Sequence, residues 1–335
     1  MNKKKRILTG DRPTGRLHLG HFVGSLSNRV KLQNEYDEYV LIADVQALTT
    51  NFDHPDKLSN DVRQVAMDNL ACGIDPDVAT IVVQSMVPEI TELTIYFSMF
   101  TSVASLERNP TIKQEIKVLN LGGNVMYGFL GYPVSQAADI TVFKANLVPV
   151  GEDQLPIIEQ TREIVRKFNR LYDNVLVEPK AMVGSVGRLI GTDGQNKMSK
   201  SLGNVLYLSD TSEDITSKVS KMFTDPAKIK LTDEGHPDKC PVYMFHKAFN
   251  KDADMLSETK KDCVSGKLGC VECKKRLSVA LNNFLDPIRD KRRIYEQAPK
   301  KVDEILIEGT KKARKIAVST LEEVRAAMKI NYFKD

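Results

Sequence analysis

The sequence predicts an α/β fold, a doubly wound parallel sheet with helices on both faces followed by a mostly helical C-terminal region. Three observations lead there. Short β-rich runs alternate with helical patterns through the N-terminal half, an order that argues for a parallel sheet covered on both sides. One of these runs, residues 39–44, is apolar up to its last residue, as a strand buried on both faces should be. Beyond about residue 210 the β signal fades and helical periodicity dominates.

In order along the chain, Arg6–Gly10 (Arg-Ile-Leu-Thr-Gly) reads as a strand ending in glycine. Phe22, Leu26 and Val30 then recur at four-residue spacing, the apolar stripe of a helix. Tyr39–Asp44 is the second strand. Leu58, Val62, Ala66 and Leu70 mark another helix, which Gly73 is placed to cap. Thr80–Gln84 is the third strand. Near the end, Ile305 to Leu321 carries a helical pattern, and Leu321, Val324, Ala327 and Met328 form a last segment. The expected organisation is an α/β domain over residues 1–205, with a helical insertion at about 85–130, and a helical domain over 206–335.

The composition excludes several classes. With 335 residues, 41% hydrophobic and 27% charged, the chain is neither disordered, collagen-like nor a small disulfide scaffold, and it is longer than one core usually fills. It holds no run of 18 apolar residues, so no transmembrane helix is expected. The start, Met1–Arg6, is basic but lacks the apolar stretch of a signal peptide, which makes the cytoplasm the expected location. The net charge is +4, and residues 286–335, with 13 Lys/Arg and 9 Asp/Glu, carry all of it. A polyanion would sense that local field, although a solvated lysine-rich helix face accounts for so modest an excess slightly better by itself.

Cysteine usage is uneven. Cys72, in the helix before Gly73, reads as plain packing, whereas Cys240, Cys263, Cys270 and Cys273 follow a Cys-x22-Cys-x6-Cys-x2-Cys spacing. In an intracellular protein such a cluster suggests metal rather than disulfides. Four thiolates suit an iron–sulfur cube and a structural zinc alike, so spacing alone leaves both open. His236 is a spare ligand for zinc.

Two constellations carry chemistry. The first, Gly10–His21, lies between the first strand and the first helix, where an open α/β sheet binds ligands. A phosphate-binding P-loop would need Lys and Ser/Thr where Arg16 and Leu17 stand, and Gly-x-Gly-x-x-Gly is absent too. What remains is His18-Leu-Gly-His21 at a helix N-terminus. Two imidazoles and unpaired backbone N–H groups there suit an anion, and Gly20 lets a flat ring approach the backbone. The second is Lys197-Met-Ser-Lys-Ser201, after Gly191–Gly194, whose glycines predict a mobile stretch. Two lysines and two hydroxyls suit charge that develops on phosphate only in the transition state. A packed histidine pair or a solvated basic loop would explain either one alone; together they point to nucleotide chemistry.

With these residues the chain resembles the class I aminoacyl-tRNA synthetases, whose HIGH and KMSKS signatures match His18–His21, with Leu19 for Ile, and Lys197–Ser201. Within that class it is similar to the tryptophanyl-tRNA synthetases at Gly10–Gly15, Tyr132–Asp139, Val148–Gln154 and Leu321–Met328. The resemblance implies a Rossmann-like catalytic domain, a helical anticodon-binding domain and a homodimer. It implies that L-tryptophan is activated with ATP and Mg2+ to tryptophanyl-adenylate and pyrophosphate, and that the adenylate then acylates tRNA(Trp).

The same resemblance assigns residues. Arg12, Pro13, Thr14, Gly20 and His21 would hold ATP, Gly151, Glu152 and Asp153 would border its ribose, and Leu189 its adenine. His18, His21, Lys197 and Lys200 would be catalytic, with Met198, Ser199 and Ser201 completing the ATP loop. Asp139 would accept the indole N–H, while Tyr132, Gln136 and Gln154 would meet the amino acid. Cys240, Cys263, Cys270 and Cys273 match the [4Fe–4S] motif of a subset of the family, with zinc as the alternative.

For Asp139 the chemistry stands beside the resemblance. Indole offers one donor, so its pocket needs one acceptor. A carboxylate left unpaired by phenylalanine can discriminate strongly enough to dispense with editing. A helix cap is the plain alternative for Ala137-Ala138-Asp139. Tyr132, Gln136 and Asp139 form a Tyr-x3-Gln-x2-Asp arrangement that tyrosyl-tRNA synthetases also use, which keeps tyrosine as the runner-up substrate. Leu8 stands where some relatives place an aromatic against the substrate ring. A non-catalytic RNA-binding or metal-sensing paralogue is the reading from another class, and both complete signatures argue against it.

Overall fold

The computed structural model describes residues 4–183 and 189–332; Met1–Lys3 of the basic start lie outside them. Five strands form the sheet: β1 (Arg6–Asp11), β2 (Asp37–Ile42), β3 (Thr80–Val83), β4 (Leu147–Val150) and β5 (Lys180–Val183). Their order is β3-β2-β1-β4-β5 and every pairing is parallel. The chain builds outward on one side of β1, then crosses to β4 on the other, so a crevice opens at the carboxyl ends of β1 and β4. The apolar run of β2 serves two cores. Val40 and Ile42 pack with Val65, Leu70 and Ile81, while Tyr39 and Leu41 face Leu93 and Phe143. Asp44 falls beyond this strand and opens a helix.

After β1 the chain forms α1 (Leu19–His21), a π-helical turn at Phe22–Leu26, and α2 (Ser27–Leu32). Next, α3 (Asp44–Asn51) and α4 (Leu58–Cys72) lead to β3. Gly73 ends α4 at φ 113°, the left-handed conformation that spares glycine a Cβ clash. Four helices separate β3 from β4: α5 (Pro88–Ser98), α6 (Val103–Arg108), α7 (Pro110–Val118) and α8 (Tyr127–Val142). Between β4 and β5 lies α9 (Leu155–Leu171).

The rest is helical: α10 (Ser212–Ser220), α11 (Pro241–Phe249), α12 (Ala253–Val264), α13 (Cys270–Gln297) and α14 (Pro299–Ala327). The two expected C-terminal segments are one helix, α14, because no Gly or Pro interrupts the stripe at Leu321. That helix returns to the sheet. The Val83 N–H donates to Thr310 Oγ1 at 3.1 Å, and Arg314 pairs with Glu89 at 3.0 Å. A Cβ at Gly309 would stand 2.2 Å from the Ile81 carbonyl oxygen, so only glycine allows this approach. Among the described residues no helix is long and apolar enough to cross a membrane.

Candidate active site

A cavity of about 360 Å³ occupies the crevice, within the range of small-molecule sites. Gly10 near the end of β1, Arg12 just after it, Gln46 on α3, Asp139 on α8, and Gly151 and Gln154 after β4 contribute to its wall. Leu8 lines it too and is 4% exposed.

His18 and His21 stand beside this cavity on the turn into α1. Residues 17–19 are strapped by backbone bonds, Leu19 N–H to Leu206 O at 2.9 Å and Leu208 N–H to Leu17 O at 3.0 Å. The His18 N–H donates to His21 Nδ1 at 3.2 Å, which leaves the His21 proton on Nε2. The two rings lie 3.8 Å apart. Burial, reinforced by His21, Lys200 and Lys197, lowers His18 to about 3; burial, with Lys200, Arg29 and Lys197 and against the opposing charge of Asp11, lowers His21 to about 4. Both imidazoles are therefore neutral near pH 7, and they meet an anion as hydrogen-bond donors rather than as cations. A Cβ at Gly20 would sit 2.9 Å from the His18 ring, so glycine is required there.

The second signature comes to the first. Lys200 Nζ donates to Gly15 O at 2.9 Å and Thr14 O at 3.1 Å. Thr14, Asp61, Gln64, Lys200 and Tyr207 border an adjoining recess of about 370 Å³. The stretch expected to be a free loop is anchored instead. Met198 is buried and its N–H donates to Leu189 O at 3.3 Å. Asn204 accepts from the Ser199 N–H at 2.7 Å and donates to Asp193 at 3.0 Å. Lys197 and Ser201 are exposed, as are Glu152 and Asp153 beyond β4, while Pro13 is buried.

Tyr132, Gln136 and Asp139 occupy positions i, i+4 and i+7 of α8, hence one face. Asp139 lies inside the helix, 2% exposed, and is not a cap. Its carboxylate accepts from Gln46 Nε2 at 2.6 Å and Gln84 Nε2 at 2.8 Å. Burial raises it to about 7 even though both amides favour its charge. Gln136 and Asp139 reach the cavity; Tyr132 does not, and lies behind it with the Arg12 guanidinium 4.8 Å over its ring.

Some of the site was not foreseen. Arg29 and Asp11 form a buried pair in the wall of the cavity, with Arg29 donating to Asp11 Oδ1 at 2.9 Å and Asn69 donating to Asp11 Oδ2 at 3.1 Å. Burial pushes Asp11 up, but Arg29 outweighs it and holds the carboxyl below its ordinary value. Gln46 and Gln84, which clamp Asp139, were missed as well. Their one sequence signal is position, just past the carboxyl ends of β2 and β3, where such sheets place ligand groups.

All four clustered cysteines line one small cavity, together with Asp225, Lys228 and Tyr243. Cys240 precedes α11, Cys263 lies near the end of α12, and Cys270 and Cys273 open α13. Burial and the neighbouring thiols raise Cys273 to about 12, and Cys263 is raised in the same way. Among the described residues, no group of three or more His, Cys, Asp or Glu is arranged to hold a metal ion. His236 is not among the residues lining this cavity, but its Nδ1 stands 2.8 Å from Asp225, which is.

Comparison with known proteins agrees with this geometry. The family model for class I tRNA synthetases (W and Y) matches residues 1–286. The tryptophan–tRNA ligase of Clostridium longisporum is 52% identical over 99% of both chains, and that of Lactococcus lactis is 50% identical over 99% of both. The crystal structure of tryptophanyl-tRNA synthetase from Campylobacter jejuni, complexed with ADP and tryptophan, superposes with a TM-score of 0.88. It is 31% identical and covers 97% of this chain and 99% of its own.

Proposed function

The chain belongs to the class I tRNA synthetases for tryptophan and tyrosine, and from that premise we propose how its residues perform the work of a tryptophan–tRNA ligase. It is an aminoacyl-tRNA synthetase. The observation that carries the substrate reading is Asp139, a buried carboxylate facing the cavity and gripped by two amides, which is the acceptor an indole N–H requires.

Tryptophan would lie in the cavity with its indole on Asp139 and its polar end towards Gln136 and Gln154. Tyr132 acts from behind, fixing Arg12 through the ring contact. Arg12, Pro13, Thr14, Gly20 and His21 would hold ATP, Gly151, Glu152 and Asp153 its ribose, and Leu189 with Met198 its adenine. A tryptophan carboxylate oxygen then attacks the α-phosphorus, and the bond to the bridging oxygen breaks. Pyrophosphate leaves with Mg2+ and with the negative charge that Lys197, Lys200, Ser199 and Ser201 offset. His18 and His21, both neutral, donate hydrogen bonds without adding charge. A ribose hydroxyl of tRNA(Trp) next attacks the acyl carbon and AMP departs. Lys200 has to exchange the Thr14 and Gly15 carbonyls for phosphate oxygens, so its contacts strengthen only as the reaction proceeds.

Residues 1–205, with the helices at about 85–130, form the catalytic domain in this reading, and 206–335 bind the anticodon. A homodimer is the proposed assembly. Ile95, Met99, Val103, Val118 and Tyr127 are large and exposed on those helices, and a second copy would cover them. The cytoplasm, where tRNA is charged, is the proposed location.

Cys240, Cys263, Cys270 and Cys273 are proposed to hold a [4Fe–4S] cluster. What supports a four-thiolate site is that all four cysteines line one small cavity; zinc is the alternative occupant. When bound, the group supplies a crosslink between α11, α12 and α13, and the cationic charge that lets thiols as reluctant as Cys273 ionise. Protein purified without oxygen should be brown with about four irons per chain, and Cys270→Ser should bleach it. Colourless protein with one zinc per chain would contradict the cluster. For the activity, incubation with ATP, Mg2+ and tryptophan should charge a tRNA(Trp) transcript, and incubation with ATP, Mg2+ and tyrosine should leave a tRNA(Tyr) transcript uncharged; the reverse pair of results would make tyrosine the substrate.

A further inference from the structure

Besides Arg29–Asp11, the mechanism above leaves a second buried ion pair unused. Asp68 on α4 is 0% exposed, and Arg292 on α13 is 2% exposed. Arg292 Nη1 pairs with Asp68 Oδ1, and its other nitrogens meet Gln64 Oε1 and Glu296. The second oxygen of Asp68, Oδ2, accepts the backbone N–H of Leu17 at 2.6 Å. Leu17 immediately precedes His18. One carboxylate thus joins the C-terminal helix α13 to the backbone of the first signature.

The other support of that backbone leads to the same helix. Leu17 and Leu19 are strapped to Leu208 and Leu206. The strap turns at Asp210, whose Oδ2 accepts the Tyr207 N–H at 2.8 Å, and Arg289 of α13 donates to Asp210 O at 2.9 Å. Two arginines one helical turn apart therefore brace both restraints on residues 17–19. At its far end α13 begins with Cys270 and Cys273. A purely stabilising ion pair would not need a ligand's neighbouring amide on its second oxygen, and a buried pair of this kind is seldom worth its desolvation by itself.

We propose that Asp68 and Arg292 are positioning residues for adenylate formation: the pair fixes the Leu17 amide and so the orientation of His18 and His21, making the reaction rate depend on the placement of α13. The proposal rests on the adenylating reading above. In that reaction the imidazole donors must meet the phosphates in the transition state, and a shift of about 1 Å in such a group costs roughly a hundredfold in rate.

The test is tryptophan-dependent ATP–pyrophosphate exchange, with rates expressed per active site after titration by the burst of adenylate formation. Arg292→Met should lower kcat at least about tenfold while the tryptophan KM stays within about twofold. Arg292→Lys, which keeps a charge against Asp68 and protects against simple unfolding, should recover part of the loss. Asp68→Asn should lower kcat as well, and the double variant Asp68→Asn/Arg292→Met should be no slower than the worse single one, since both break one link. Variants that lose only melting temperature or active-site number, with kcat per site unchanged, would make the pair structural and overturn the proposal. Additive losses in the double variant would also overturn it. Exchange absent from the wild-type enzyme would instead refute the adenylating reading, which separates the two failures.

Discussion

Replacing Asp139 by Asn changes one atom and should remove most of the pocket's grip on tryptophan. Asp139 now presents two acceptor oxygens, each already taking a glutamine N–H, at 2.6 Å from Gln46 and 2.8 Å from Gln84. An asparagine offers one acceptor and one donor, so its amide must face a glutamine donor unless that side chain turns over. The indole N–H then loses a charged partner, a change of about 1.5–3 kcal/mol or roughly 10–150-fold in affinity. A second signature follows from burial. Burial pushes Asp139 up to about 7, so its ionised fraction rises about tenfold between pH 6 and pH 8, and wild-type affinity should rise with it. The variant should show no such rise. The chain contains no tryptophan, so the fluorescence of the bound amino acid can be titrated against a background free of protein indole. Equal affinities for wild type and variant, or a wild-type affinity flat across pH 6–8, would refute the role given to this carboxylate.

Two further outcomes are expected. Lys197→Ala should lower kcat for pyrophosphate exchange by about tenfold or more with little change in tryptophan affinity, because Lys197 is exposed and acts on charge present only in the transition state; a raised KM with unchanged kcat would contradict this. Glu38 is 0% exposed, has no hydrogen-bond partner for either oxygen among the described residues, and is raised by burial from 4.5 to about 7. Its folded form holds a proton that the unfolded chain releases, so its contribution is complete below pH 4.5 and is lost as pH rises through 7, about 3 kcal/mol in all. Thermal melts should show stability falling more steeply between pH 5 and pH 8 in the wild type than in Glu38→Gln; equal slopes would mean that Glu38 is solvated.

What could be read from the sequence was whatever depends on local pattern. β2 was legible because four consecutive apolar residues feed two cores, and α4 because its stripe ends at a glycine that adopts φ 113°. The face carrying Tyr132, Gln136 and Asp139 follows from their spacing, although spacing could not reveal that Tyr132 stops short of the cavity. Pairings between distant segments were illegible. Arg29, Asp11 and Asn69 look like three ordinary polar residues until the fold encloses them, and Asp68 meets Arg292 across 224 positions. Lys200 shows the same limit from another side. Its glycine-bearing surroundings suggested a free loop, but the Asn204 side chain and the buried Met198 tie that segment down, and neither tie has a periodic signal.

The central claim, that the crevice activates tryptophan through ATP, is tested most directly by ATP–pyrophosphate exchange with tryptophan and with tyrosine in the same preparation. Exchange with tryptophan at least about tenfold above that with tyrosine is the predicted result: a phenol can also donate to Asp139, so tyrosine has to be rejected by the shape of a pocket fitted to the larger indole, a discrimination of about 10–200-fold. Exchange that proceeds as well with tyrosine, or that fails with both, would contradict the account.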